Sequence, residues 1–329
     1  MFRKLLPKIV GLTIVGVISA MSGLASSAWA RDIKLAHLAP VDDPRHETLV
    51  QFADMISERT NGELQVKIFP KSTLGKDREV FEQLQGGLTE LALNGEIISN
   101  FYPKWSIINM PYLWRDQDHL RAFLKSDLAQ QWIDETREAT GVQILGFLER
   151  NPRILTTREA PVNSIDDIQG LKIRVPKIDI YMDTWRAFGV QPTPMSASEF
   201  FLGLKLGTVD GMENPIEVMY HWKVYEVSKY LSFTDHMLTR LFLTASQQFL
   251  DSLTPEQRAI VIEAGKEAEA IHARKLEKMI DELSVKLEQE GMELNKNPDV
   301  SGFQEKAKLV HEKYIDVYGQ EVFDAIRNM

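Results

Sequence analysis

Apolar residues follow two alternating rhythms along this chain. Positions 32–38, 64–69, 91–94, 142–148, 153–157, 171–175, 191–194 and 208–212 are short apolar or every-second-residue runs, each bounded by Gly, Pro, Asn, Asp or another polar residue, and they predict strands. Between them, 46–60, 77–85, 117–125, 128–139, 165–169, 178–188 and 198–206 carry apolar residues three and four apart, and they predict helices. In the first helix the stripe is Leu49, Phe52, Ala53 and Ile56, and Asn61-Gly62 ends it. The β-α-β order occurs twice, which predicts an α/β chain with parallel sheets covered by helices. Thr254-Pro255-Glu256-Gln257 then opens a capped helix. Its pattern runs on to about Glu290, a reach of about 50 Å at 1.5 Å per residue, long enough to lie across two domains. A short strand at 293–294 and a helix over 303–318 complete the reading.

The residues before the first strand belong to another pattern. Arg3, Lys4 and Lys8 precede an apolar run from Ile9 to about Leu24, and Ala28-Trp29-Ala30 is a small-x-small cleavage site. Residues 1–30 therefore read as a secretory signal, which predicts export to the periplasm. Removing them leaves 299 of 329 residues, about two domains, and takes the net charge from −9 to −12. So acidic a chain has no general affinity for nucleic acid or an anionic membrane, and an anionic ligand would need a local basic site. The absence of cysteine excludes disulfides and thiol catalysis.

No G-x-S-x-G, H-E-x-x-H, G-x-G-x-x-G or P-loop occurs, so no catalytic residue, metal ligand or cofactor is expected. In open α/β sheets, ligands sit beyond the carboxyl ends of strands. His37, Asn94-Gly95-Glu96, Arg174 at the end of GLKIRVP (170–176) and Glu213-Asn214 after VDGM fall at such ends, and Arg153 marks the junction of the two halves. Each also has a structural reading. His37 can be a hydrogen-bonded framework residue, Glu96 a helix cap, and Asn214 before Pro215 an Asx-turn. Two arginines at separate strand ends of an acidic chain point to a carboxylate, whose two oxygens match the guanidinium fork. Tyr112 and Trp114 fit either stacking on a sugar ring or core packing.

Several stretches converge on one family: FPKSTLGKDREVFEQLQGG (69–87), NMPYLW (109–114), SIDDIQGLKIRVP (164–176), QPTPMSASEFFLGL (191–204), VDGMENP (209–215) and VYEVSKYL (224–231). In order and spacing the chain resembles the solute-binding proteins of TRAP transporters, the DctP family, which includes C4-dicarboxylate- and sialic-acid-binding members. The resemblance implies a two-domain periplasmic-binding-protein fold with a hinge, a ligand cleft and a long helix spanning both domains. The domains would be discontinuous, 31–152 plus 241–283 and 153–240 plus 284–329. It implies that Arg174 salt-bridges the ligand's carboxylate and Asn214 helps to hold it, with Arg153 as a second arginine, Glu96 on ligand hydroxyls and His37 at a variable polar position. Glu149 and Asn151 are further candidates for hydroxyls. Sialic-acid-type members carry an aromatic residue where this chain has Ala197, which argues for a different or smaller ligand. The expected ligand is a monocarboxylate sugar acid, an aldonate or uronate, with a C4-dicarboxylate or another organic acid as the alternative. The expected partners are a small and a large TRAP membrane permease subunit, with the protein itself a monomer. A ligand-sensing partner of a membrane receptor would share the same cleft.

Overall fold

The structure, a computed structural model, describes residues 30–329. The expected signal lies outside the described residues, apart from its last alanine. Among the described residues eleven strands form two sheets: β1 Arg31–His37, β2 Leu64–Phe69, β3 Leu91–Asn94, β4 Val142–Glu149, β5 Arg153–Thr157, β6 Lys172–Val175, β7 Gln191–Pro194, β8 Gly211–Pro215, β9 Tyr230–Met237, β10 Arg240–Ser246 and β11 Glu293–Asn295. The first sheet has the order β2-β1-β3-β10-β4 and the second β11-β9-β5-β8-β6-β7. The parallel pairs join through helices. The helix Pro44–Arg59 links β1 to β2, capped by Asp43, and it buries the predicted Leu49, Phe52, Ala53 and Ile56. Helix Asp179–Ala187 links β6 to β7 in the same way.

Three expectations need correction. First, β9 and β10 were not foreseen. β10 is buried at every position and lies antiparallel between β3 and β4, while β5 is antiparallel to β8 and β9, so both sheets are mixed. Second, the strand expected at 208–212 lies at Gly211–Pro215, so Glu213 and Asn214 sit within a paired strand and not beyond its end. Third, the long helix is two, Pro255–Leu276 and Met279–Gln289, because Lys278 leaves helical geometry (φ −116°, ψ 4°). The first piece packs on β4 and the 44–59 helix, the second on the helix Ile216–His221 of the other half.

The chain thus passes between the halves at 150–152, at 238–239 and at 277–278. The first two crossings run side by side, since Arg240 pairs with Glu149 and Arg153 with Met237. The C-terminal segment does not stay with the second half: in the last helix, Gln320–Arg327, the Ile326 carbonyl bonds the His119 ring (2.7 Å) and the Arg327 carbonyl accepts from Arg115 (3.2 Å).

One close approach fixes the 255–276 helix on β4. A Cβ on Gly265 would lie 2.7 Å from Leu145 Cβ and 3.0 Å from its carbonyl oxygen. Gly265→Ala is expected to lower stability by about 1–3 kcal/mol through overpacking. Urea unfolding with an unchanged slope would show it.

Candidate ligand cleft

A cavity of about 330 Å³ opens between the two sheets, within the range of small-molecule sites. His37, Glu96, Arg153, Arg174 and Asn214 line it, together with Ala197. β6 lies between β7 and β8, which buries Arg174 (3 % exposed). Its Nε and Nη2 donate to the Met195 carbonyl at 3.0 and 2.6 Å, and the guanidinium stands 5.4 Å from the Phe200 ring. No carboxylate among the described residues reaches it. Burial lowers its pKa to about 10, and the more distant Glu213 and Glu96 do not offset that.

The other arginines are matched. Arg153 donates to both carboxylate oxygens of Glu213 and, at 3.0 Å, to Glu96. Arg150 donates to the same Glu96 oxygen (2.7 Å) and to Asn214 Oδ1 (3.0 Å). Burial alone would raise the Glu96 pKa, but Arg150 and Arg153 outweigh it and hold it at about 2. Glu213 is likewise held below the usual carboxylate range: Arg153 and a His236 hydrogen bond overcome its burial. The amide nitrogen of Asn214 finds no partner among the described residues and remains a donor for a ligand.

His37 is satisfied by the protein. Ala39 N–H donates to its Nδ1 (3.1 Å), so Nε2 carries the proton and donates to His46 Nδ1 (3.0 Å). Burial, then His46 and Arg45, lower its pKa to about 3, so the ring is neutral. Two expected candidates are not in the cleft. Glu149 ends β4 on the far side, where Arg121 binds both its oxygens. Asn151 is buried behind the cleft and donates to Glu217 (3.2 Å). Tyr112 and Trp114 pack elsewhere, hydrogen-bonded to backbone carbonyls.

The sequence reading missed Arg150, Asp77, Phe200 and Trp222. Phe200 and Trp222 stack at 5.4 Å and give the cleft an aromatic wall beside Arg174. Asp77 accepts from Asn94 Nδ2 (3.0 Å) and the Gly95 N–H, and burial pushes its pKa up to about 7. A carboxyl with a raised native pKa keeps a proton that the unfolded chain gives up near pH 4. The contribution of Asp77 to stability therefore falls as pH rises from about 4 to 7. Asp77→Asn is expected to flatten that slope and to add on the order of 3 kcal/mol at pH 8. Chemical denaturation across pH 5–8 checks it.

No cluster of metal-ligating side chains occurs among the described residues, and none of their helices is long and apolar enough to cross a membrane. The profile of "Bacterial extracellular solute-binding protein, family 7", DctP, matches residues 35–316. The 2,3-diketo-L-gulonate-binding periplasmic protein YiaO of Escherichia coli is 32% identical over 272 residues, 79% of this chain and 82% of its own. A TRAP periplasmic solute-binding protein of Roseobacter denitrificans, solved with bound L-galactonate, is 28% identical, covers 90% of this chain and 97% of its own, and superposes with a TM-score of 0.84. Another from Bordetella, with density assigned to pantoate, is 29% identical at a TM-score of 0.87 and covers 90% of this chain and 98% of its own.

Proposed function

Because the chain belongs to the DctP family, family 7 of the bacterial extracellular solute-binding proteins, we propose that it captures a monocarboxylate sugar acid, an aldonate or uronate, in this cleft and delivers it to a TRAP permease. The observation that carries the reading is the charge balance. Arg45 is matched by Asp43, and Arg150 and Arg153 by Glu96 and Glu213, which among the described residues leaves Arg174 as the one buried cleft guanidinium without an acid. One open guanidinium suits one carboxylate, whose second oxygen the Asn214 amide can reach. Glu96, kept ionised, accepts hydroxyl protons and repels a second carboxylate. Phe200 and Trp222 offer an apolar face to the carbon chain. The acids named for the Escherichia coli, Roseobacter and Bordetella proteins are hydroxylated or oxo monocarboxylates, which supports the same class.

Capture proceeds by docking on the second half and closure of the first over it at the two adjacent crossings. Lys76 and Glu199 stand on opposite lips and already form an ion pair at 2.8 Å. That pair is exposed and screened, so Glu199→Gln is expected to change affinity less than a few-fold. The small and large permease subunits would read the closed form. Capture and delivery involve no chemistry on the acid, which is expected back unchanged after incubation.

A thermal-shift panel of aldonates, uronates and C4-dicarboxylates tests the ligand class. A ligand at about a thousand times its Kd adds roughly 4 kcal/mol. Shifts with sugar acids alone support the proposal, whereas shifts with dicarboxylates alone overturn it.

A further inference from the structure

A second cavity, of about 610 Å³, lies outside the cleft, along the free edge of β4. The helices Asp127–Thr140 and Pro255–Leu276 form its sides. At its floor is Arg240, 1 % exposed. Arg240 Nη1 donates to the Thr239 carbonyl (2.9 Å), but Nη2 is buried and makes no hydrogen bond among the described residues. The acids around it are already engaged. Glu149 is bound by Arg121 and stands 3.9 Å from Nη2. Glu269 accepts the Phe147 N–H (2.7 Å), covering an edge group that no strand pairs. A buried guanidinium with an unsatisfied donor is costly, and native proteins seldom keep one without a use. Burial, not offset by Glu149, lowers its pKa to about 10.

Leu124, Ile133, Ile144 and Ile262 give part of the wall an aliphatic surface, while Gln130, Gln143 and the engaged Glu149 and Glu269 line the rest. At the mouth stand two exposed cations, Lys125 and Lys266. We propose that this cavity is a second anion site, which takes a small monocarboxylate with an apolar body. The carboxylate would meet the Arg240 guanidinium once it turns toward the cavity, the body would lie on the aliphatic part of the wall, and the lysines would attract it against the chain's negative field. The site is separate from the sugar-acid cleft and shares no lining residue with it. Arg240 also opens β10 directly after the 238–239 crossing, so an acid bound there touches the junction between the halves.

Sodium hexanoate is the probe, followed by calorimetry on the whole protein. Hexanoate is expected to bind both the wild type and Arg174→Ala, whose cleft is disabled. Arg240→Gln and the cavity-filling Ala273→Phe are each expected to weaken it at least tenfold. Should Arg240→Gln fail to fold, Ala273→Phe carries the comparison. Absence of hexanoate binding overturns the proposal. So does binding that is lost in Arg174→Ala but kept in Arg240→Gln, since the acid would then occupy the cleft. Inorganic phosphate competing as well as hexanoate would overturn the assigned class, because a compact anion makes no use of the aliphatic part of the wall.

Discussion

Arg174→Ala is expected to cost ligand binding several kcal/mol, a hundredfold or more in Kd, while the empty protein stays at least as stable as before. The first part follows from truncating one member of a buried charge pair, which leaves the ligand's carboxylate desolvated and unmatched. The second follows from the present environment of Arg174. Its donors reach only the Met195 carbonyl, and burial disfavours its charge. A base whose native pKa is depressed opposes folding while it is protonated, and removing it lifts that cost. Arg174→Lys keeps the charge but loses the fork, so it too is expected to bind poorly. Calorimetry with the best hit of the acid panel, beside thermal unfolding of the same variants, checks both parts. Affinity within threefold of wild type in Arg174→Ala would remove the clamp from the account.

Glu213→Ala is expected to have the largest effect on stability, about 3–5 kcal/mol, because it strands a buried partner. Of its two carboxylates Arg153 would keep only Glu96, already shared with Arg150, and His236 would lose its acceptor. Glu213→Gln, which keeps the shape and one acceptor, is expected to lose less. The pH profile carries the same signature. The native pKa values of Glu213 and Glu96 are depressed, so their contribution is complete above about pH 4.5 and disappears as pH falls through their native values, near 2 for Glu96. Urea unfolding at pH 7 and pH 3 should show the variant and wild type converging in acid. An equal gap at both would mean that packing, not ionic pairing, sets the loss.

Where periodicity was strong, the sequence was legible. β2, β3, β5, β7 and the helix Asp77–Gln85 fall at their expected positions, because each carries its own pattern and its own stop signals. β10 escaped because a strand buried on both faces has no alternation to read, and LFLTAS is equally a helical segment by composition. The break at Lys278 has no Gly or Pro to announce it; packing against two different halves imposes it. The cleft was partly visible, since a motif marks each of Arg174 and Asn214. Glu149 and Asn151 were misplaced because which way a residue next to a crossing points depends on how the halves are set, which no local pattern records. Arg150, one residue from each, escaped for the same reason.

The position of β10 has a consequence for the order in which the molecule can be made. β4 reaches the rest of its sheet only through β10, and β3 meets β10 from the other side. Until residue 246 has left the ribosome, the first half holds two unjoined pieces. The second half waits longer, for β11 at 293–295 to close its edge. A nascent chain built in this way gains its native contacts late and across long sequence separations, so it folds slowly while it grows. For most of its synthesis it stays short of the contacts that close either sheet.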